Sequence, residues 1–441
     1  YLVIFLLVTV FASATHNRAG EITYEWLSGF TYKFTVTTYT KDSAPADRCE
    51  LTVDFGDGNS AVFVRNNGAS GTCSSPAKMG EDLPNDVRKN VYSGTHSFQA
   101  PGYYTISMQD LNRNGGINNI PNSINIPFYI TTTLLVDQSV GTNSSPTLNY
   151  PPIDNGCTFK KFIHNPSAFD PDGDSLYYSL INCKGLGGAD ISETYDPLYI
   201  QDPVTIDSLT GNFVWDTPQN VGQFNFAILI QEYRKGSNGI WRLVGAVTRD
   251  FQVDIQPCQN QPPVFDPVGP FCVIAGDQLQ FVVSANDPDQ NNIRLTLEGY
   301  GGPFETNPAA IFPRKEMNGS SISQQFTWNT TCNLVRSQSY YAQFIVEDQP
   351  VNQDQALTDI MSVEIRVIAP APTNLMAATN NSAINLSWNQ EICIQANGYD
   401  IYRRENNYGY SWDTCETGVP AYTGYVYHAS TSGLTNTTYT D

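Results

Sequence analysis

The feature that most restricts this chain is alternation. YKFTVTTYT (32–40), YYTISMQD (103–110), FNFAILIQEY (224–233), LQFVVSAND (279–287) and YYAQFIVED (340–348) mix apolar and polar residues at a period near two, each bounded by Gly, Pro, Asn or Asp. That period puts one face of a strand on a core and the other in water, and helical periodicity is almost absent. At 441 residues the chain is too long for one core and suits several domains of about 100–150 residues each.

Proline-rich joints divide it: SSPTLNYPPIDNG (144–156), QPCQNQPPVFDP (256–267) and IAPAPTN (368–374). Proline fixes φ, so these joints are expected to be semi-rigid. Short strands and frequent turns over this length predict an all-β fold, a tandem array of immunoglobulin-like β-sandwich domains. The units fall at 20–140, 154–256, 262–369 and 371–441.

Acids outnumber bases 43 to 23, a formal charge of −20, which argues against nucleic acid and against an anionic membrane surface as partners. YLVIFLLVTVFASATHN resembles a signal peptide without its first residues: Leu2–Ala12 is the apolar segment and Ala12-Ser13-Ala14 the cleavage signal. Residues 1–14 are therefore read as a partial signal peptide, and no membrane insertion is expected of the mature segment. Nine cysteines suit an oxidised, exported chain. None sits in a CxxC pair, and local pairing predicts Cys49–Cys73, Cys157–Cys183, Cys272–Cys332 and Cys393–Cys415. Cys258 is then the odd one, competing for Cys157 or Cys183.

Several stretches carry family resemblances. VDFGDGNSAVF (53–63) and GTHSFQAPGYYTISM (94–108) resemble a PKD-type domain. Gly56 and Gly58 permit the sharp turn, and Asp54 and Asp57 can accept backbone N–H groups inside it. DPDGDSLYYSL (170–180) followed by VTIDSLTGNFVWDTPQNVGQFNFAILIQE (204–232) resembles a cadherin-like domain of dystroglycan type. AGDQLQFVVSANDPDQNNIRLTL (275–297), FTWNTTC (326–332) and YYAQFIVEDQP (340–350) repeat that plan, so units two and three form an internal repeat. APTNLMAATNNSAINLSWN (371–389) and GYDIYRREN (398–406) resemble the opening of a fibronectin type III domain, with Trp388 in its core and Tyr399 and Ile401 pointing inward. That family needs about two more strands, so the chain is expected to continue past Asp441. AGEITYEWLSGFTYKFTVTTYT (19–40), DRCELTVDFGDGNSAV (47–62) and CETGVPAYTGY (415–425) are similar to large surface proteins with a gliding-motility-associated C-terminal domain. The resemblance implies type IX secretion, an extracellular or bacterial cell-surface location and an adhesin-like role. The partner it implies is a surface glycan or another extracellular protein; the oligomeric state is left open.

DPDGD carries the one chemical question. Asp170, Asp172 and Asp174 stand at alternate positions, and the cadherin-like resemblance implies a Ca²⁺ ion held at this turn against the preceding domain. Asp287 and Asp289 occupy the matching turn of unit three, and Glu347 and Asp348 end a strand expected beside it. The competing reading is a tight Asx turn needing no ion. The second joint also lacks the paired acids of calcium-stiffened cadherin linkers, although Asn260 is present, and EF-hand spacing fails because Ile181 is twelfth from Asp170. No catalysis is expected: His16, His96, His164 and His428 are the only histidines, and neither GxSxG nor HExxH occurs. The alternative function is the spacer and carbohydrate-binding region of a secreted polysaccharide-degrading enzyme, with Tyr408, Tyr410 and Trp412 as stacking candidates.

Overall fold

The structure is a computed structural model that describes residues 17–44, 48–68, 79–84, 86–236, 239–289, 293–350, 355–394, 396–406 and 418–441. It is all-β, a tandem array of immunoglobulin-like sandwiches.

Unit three shows the plan most simply. Val264–Phe265, Gln278–Asn286 and Ser321–Asn329 form one sheet. Phe271–Ile274, Thr358–Ile368, Tyr340–Pro350, Ile293–Tyr300 and Lys315–Asn318 form the other. The 271–274 strand runs parallel to the last strand and every other pairing is antiparallel. Val283, Leu295, Leu297, Phe326, Trp328 and Phe344 fill the space between. Unit two repeats the arrangement. Phe162–His164, Phe213–Trp215 and Val204–Ile206 form one sheet, while Ser175–Ile181, Gly222–Lys235 and Trp241–Gln256 belong to the other. Its Ile153–Cys157 again runs parallel to the last strand. The repeat read in the sequence is thus one of topology as well as wording.

Unit one packs Phe34, Phe55, Phe63, Phe98, Met108 and Phe128 inside. Its FGDG turn follows the residues: Gly56 and Gly58 take φ of +72° and +88°, and the N–H groups of Gly56 and Asn59 donate to Asp54 and Asp57 at 2.8 and 3.0 Å. His96 stacks on Phe55, and its Nε2 lies 2.8 Å from Asp57 Oδ2, a packing role.

The first two units are fused rather than strung on a linker. Strand Trp241–Gln256 pairs with Gly222–Lys235 in its own unit and with Phe128–Val136 of unit one, at Gly245↔Leu134 through Val247↔Thr132. It also touches Asn17–Ser28 at Gly20↔Asp250. One 12-stranded sheet therefore crosses both units. Buried charges close the seam. Arg113 donates to both oxygens of Asp250 at 2.9 and 2.6 Å, and Arg249 Nη2 donates to Glu21 at 3.1 Å. All four residues are 4% exposed or less. Units two and three also meet side by side, through Tyr150, Ile163, Ile345 and Ile360, with Ser362 Oγ donating to Asn212 at 3.0 Å.

Unit four buries Trp388, Tyr399 and Ile401 between Met376–Asn380/Ala383–Ser387/Thr438–Thr440 and Gly398–Arg403/Val426–Ser432. The disulfides correct the local pairing. Cys157 bonds Cys258, and Cys332 bonds Cys393. The parallel strand 153–157 ends opposite Gln256, which brings Cys258 to Cys157 and leaves Cys183 a buried thiol elsewhere. Cys393 packs against unit three, so Cys332 reaches it rather than Cys272. Cys49 is disulfide-bonded; Cys73, its expected partner, and Cys415 lie outside the described residues. Among the described residues, no helix is long and apolar enough to cross a membrane.

Candidate cation site

The DPDGD turn does what Asx chemistry dictates. Asp170 Oδ1 accepts the backbone N–H groups of Asp172 and Asp174 at 3.0 and 2.8 Å, and Gly173 takes a φ of +81°. Asp170 and Asp174 point inward, 3% and 6% exposed, and Asp172 lies outside. From the neighbouring strand Glu232, wholly buried, turns toward them, and the three carboxylates offer oxygens within 4.8 Å of one another. Asp170 Oδ2 and Glu232 Oε1 have no hydrogen-bond partner. Burial, with Asp174 and Asp172 nearby, pushes the Asp170 carboxyl up to about 7. Burial and the Asp170 charge hold Glu232 well above the usual carboxylate range. Two buried acids with idle oxygens need a shared proton or a cation.

Asp172 has a different task. Its Oδ2 accepts the N–H of Ser144 at 2.6 Å, binding the joint between units one and two. Beside it, Asn143 Nδ2 donates to Glu232 Oε2 and to Tyr24 Oη at 2.7 and 2.9 Å. Ser145 and Ser144 accept, through their Oγ atoms, the N–H groups of Tyr24 and Trp26 in unit one.

The second joint repeats three of these contacts. Asn260 Nδ2 donates to Asp348 at 2.7 Å, as Asn143 does to Glu232. Gln261 N–H donates to Asp289 Oδ2 at 2.7 Å, as Ser144 does to Asp172, and both bonds span 28 residues of sequence. Asp287 Oδ1 accepts the N–H of Asp289 at 2.8 Å, and the Asp287 carboxylate is hydrogen-bonded by the Asp348 side chain. Burial pushes Asp348 up to about 7 and raises Asp287.

The five aspartates read from the sequence therefore divide. Asp170, Asp174 and Asp287 face the buried cradles, while Asp172 and Asp289 hold linker amides. The reading placed Asp348 at the end of a strand beside the second turn, and it missed Glu232, Asn143 and Arg234. A repeated N-x-x-P, at Asn143–Pro146 and Asn260–Pro263, was the available signal. The donors of the first cradle fit calcium in kind, being hard oxygens with excess negative charge. Tyr408, Tyr410 and Trp412 lie outside the described residues.

No family model matches the chain, and no curated protein matches it. Solved structures similar to it are modular. The human protocadherin-24 EC1-2 structure is 16% identical, with 51% of this chain and 100% of that one covered and a TM-score of 0.17. Titin domains z1z2 in complex with telethonin match at 10%, 52% and 100%, with a TM-score of 0.17. The FN1-FN3 domains of chicken CNTN1 match at 7%, 79% and 98%, with a TM-score of 0.16.

Proposed function

We propose that this chain is an extracellular, cell-surface scaffold of adhesin type, with no catalysis in this segment, related to the surface proteins that carry a gliding-motility-associated C-terminal domain. The observation behind the reading is the way the units are tied: a shared sheet, a side-by-side seam and a disulfide between units three and four. Such a body presents surfaces at fixed positions, as a scaffold for a glycan or another extracellular protein requires. Antibody raised against residues 17–441 should label intact cells of the source organism. Labelling only after permeabilisation would refute the location.

Calcium is proposed at Asp170, Asp174 and Glu232, and at Asp287 with Asp348. The ion would supply positive charge to the idle carboxylate oxygens. A ligand at 100 times its dissociation constant stabilises the folded state by about 2.7 kcal/mol. Thermal melts of the full chain in millimolar calcium and in chelator should differ, and Glu232→Gln should shrink the difference. Superimposable wild-type melts would remove calcium from the reading.

A further inference from the structure

Arg234 stands where the first joint would need a cation. Its Nε and Nη2 donate to the two oxygens of Asp174 at 2.7 and 2.5 Å. Nη2 also donates to Asn143 Oδ1 at 2.8 Å, and Nη1 to the carbonyls of Thr142 and Val140 at 2.8 and 3.4 Å. Asp172 Oδ2 lies 3.8 Å away. Carboxylate, amide and backbone oxygens are the ligand types that a hard metal ion gathers from a linker. Here a planar guanidinium gathers them with directed hydrogen bonds.

The backbone makes room for it. Gly141 has a φ of +99°, and a Cβ there would lie 3.2 Å from Arg234 Nη1. Among the described residues, the second joint has no such group. Glu232 and Asp348 are equivalent by their asparagine contacts, and two residues on, where unit two has Arg234, unit three has Pro350.

We infer that Arg234 is a built-in cation that seats the 140–144 linker on unit two without metal, a role with no counterpart among the described residues of the second joint. The calcium reading shares Asp174 with it but rests on the idle oxygens of Asp170 and Glu232, to which Arg234 does not donate. Arg234 acts by positioning the linker.

The test is hydrogen exchange at the amides of Ser144 and Ser145 in the full chain, with millimolar calcium and with chelator. Wild type should protect them equally in both. Arg234→Met should accelerate them about tenfold or more in chelator, the loss of one charge-assisted hydrogen bond being enough. Calcium should slow that exchange in Arg234→Met, where the vacated oxygens are open to it. Arg234→Lys, which keeps the charge without the fork, should lie between wild type and Arg234→Met, and remains informative where Arg234→Met fails to fold. Chelator freeing the wild-type linker, or both variants protecting it like wild type, would overturn the inference. A missing calcium shift in the wild-type melt would leave it standing.

Discussion

Asp250→Asn tests whether units one and two fold as one body. Asp250 is 1% exposed and accepts from Arg113 twice and from Asn225 once, at 3.1 Å. Arg113, fully buried, would keep its bond to the Lys184 carbonyl at 2.9 Å and its place over the Phe128 ring. It would lose its counter-charge. Removing one partner of a buried pair costs about 3–5 kcal/mol, because the other charge is left uncompensated. At about 2–4 °C per kcal/mol for a body of this size, the melt should drop by about 6–20 °C. Because strand 241–256 pairs into both units, the loss must appear in both. Denaturant-dependent hydrogen exchange reads them separately: peptides from the Phe34 and Trp215 cores should lose protection together. The double variant Arg113→Met/Asp250→Leu should recover part of the loss, since two apolar groups leave no unpaired charge. Unit one keeping full protection while unit two weakens would refute the shared-sheet argument. So would a total cost below about 1 kcal/mol, the range of exposed pairs.

Two further expectations follow from the site and the covalent ties. The folded state holds the Asp170 proton up to about pH 7, whereas an unfolded aspartate releases it near pH 3.9. Between those values the folded chain binds more protons, so stability should fall as pH rises from 5 to 7.5 in chelator. Asp170→Asn should make that fall shallower, with Asp348 and Glu232 supplying the remainder, and a wild-type profile that rises would contradict the assignment. Non-reducing peptide mapping should recover Cys157–Cys258 and Cys332–Cys393 as linked pairs. Removing the second, whose ends are 61 residues apart, should cost about 2–5 kcal/mol on thermal or chemical unfolding; a recovered Cys272–Cys332 peptide would refute the pairing.

Most of the fold was legible because strand alternation and turn residues act locally. The FGDG turn, the inward Tyr399 and Ile401, and the repeat of units two and three all follow from short-range chemistry. The seams were not legible. Nothing in GAVTRDFQVDI (245–255) marks Arg249 and Asp250 as buried, because their partners, Glu21 and Arg113, come from a different unit. Cys332–Cys393 was hidden for the same reason, since nearness in sequence does not measure nearness between units, while the choice left open for Cys258 is decided by the parallel strand pair that brings it to Cys157. At the candidate site the turn aspartates were visible. Asp348 was visible as the end of a strand expected beside its turn, whereas Glu232 was hidden, because a lone acid in an apolar strand announces no partner until the strand is placed beside the turn.

The ties alter what calcium would have to explain. Unit one is held to unit two by a common sheet and by Arg234 on the linker. Unit two is tied by Cys157–Cys258 to the segment leading into unit three, which leaves only residues 259–263 before the next strand at Val264. The Tyr150–Ile163–Ile345–Ile360 cluster then closes that joint laterally. Unit four is fastened to unit three by Cys332–Cys393 in addition to its proline linker. Each joint thus has a second attachment besides the chain itself. A hinge needs a connection that bends without breaking contacts, and every connection here would break some. An ion at the carboxylate cradles therefore acts on the stability of the cradle it neutralises, and the relative placement of the units rests on covalent bonds, paired strands and one arginine.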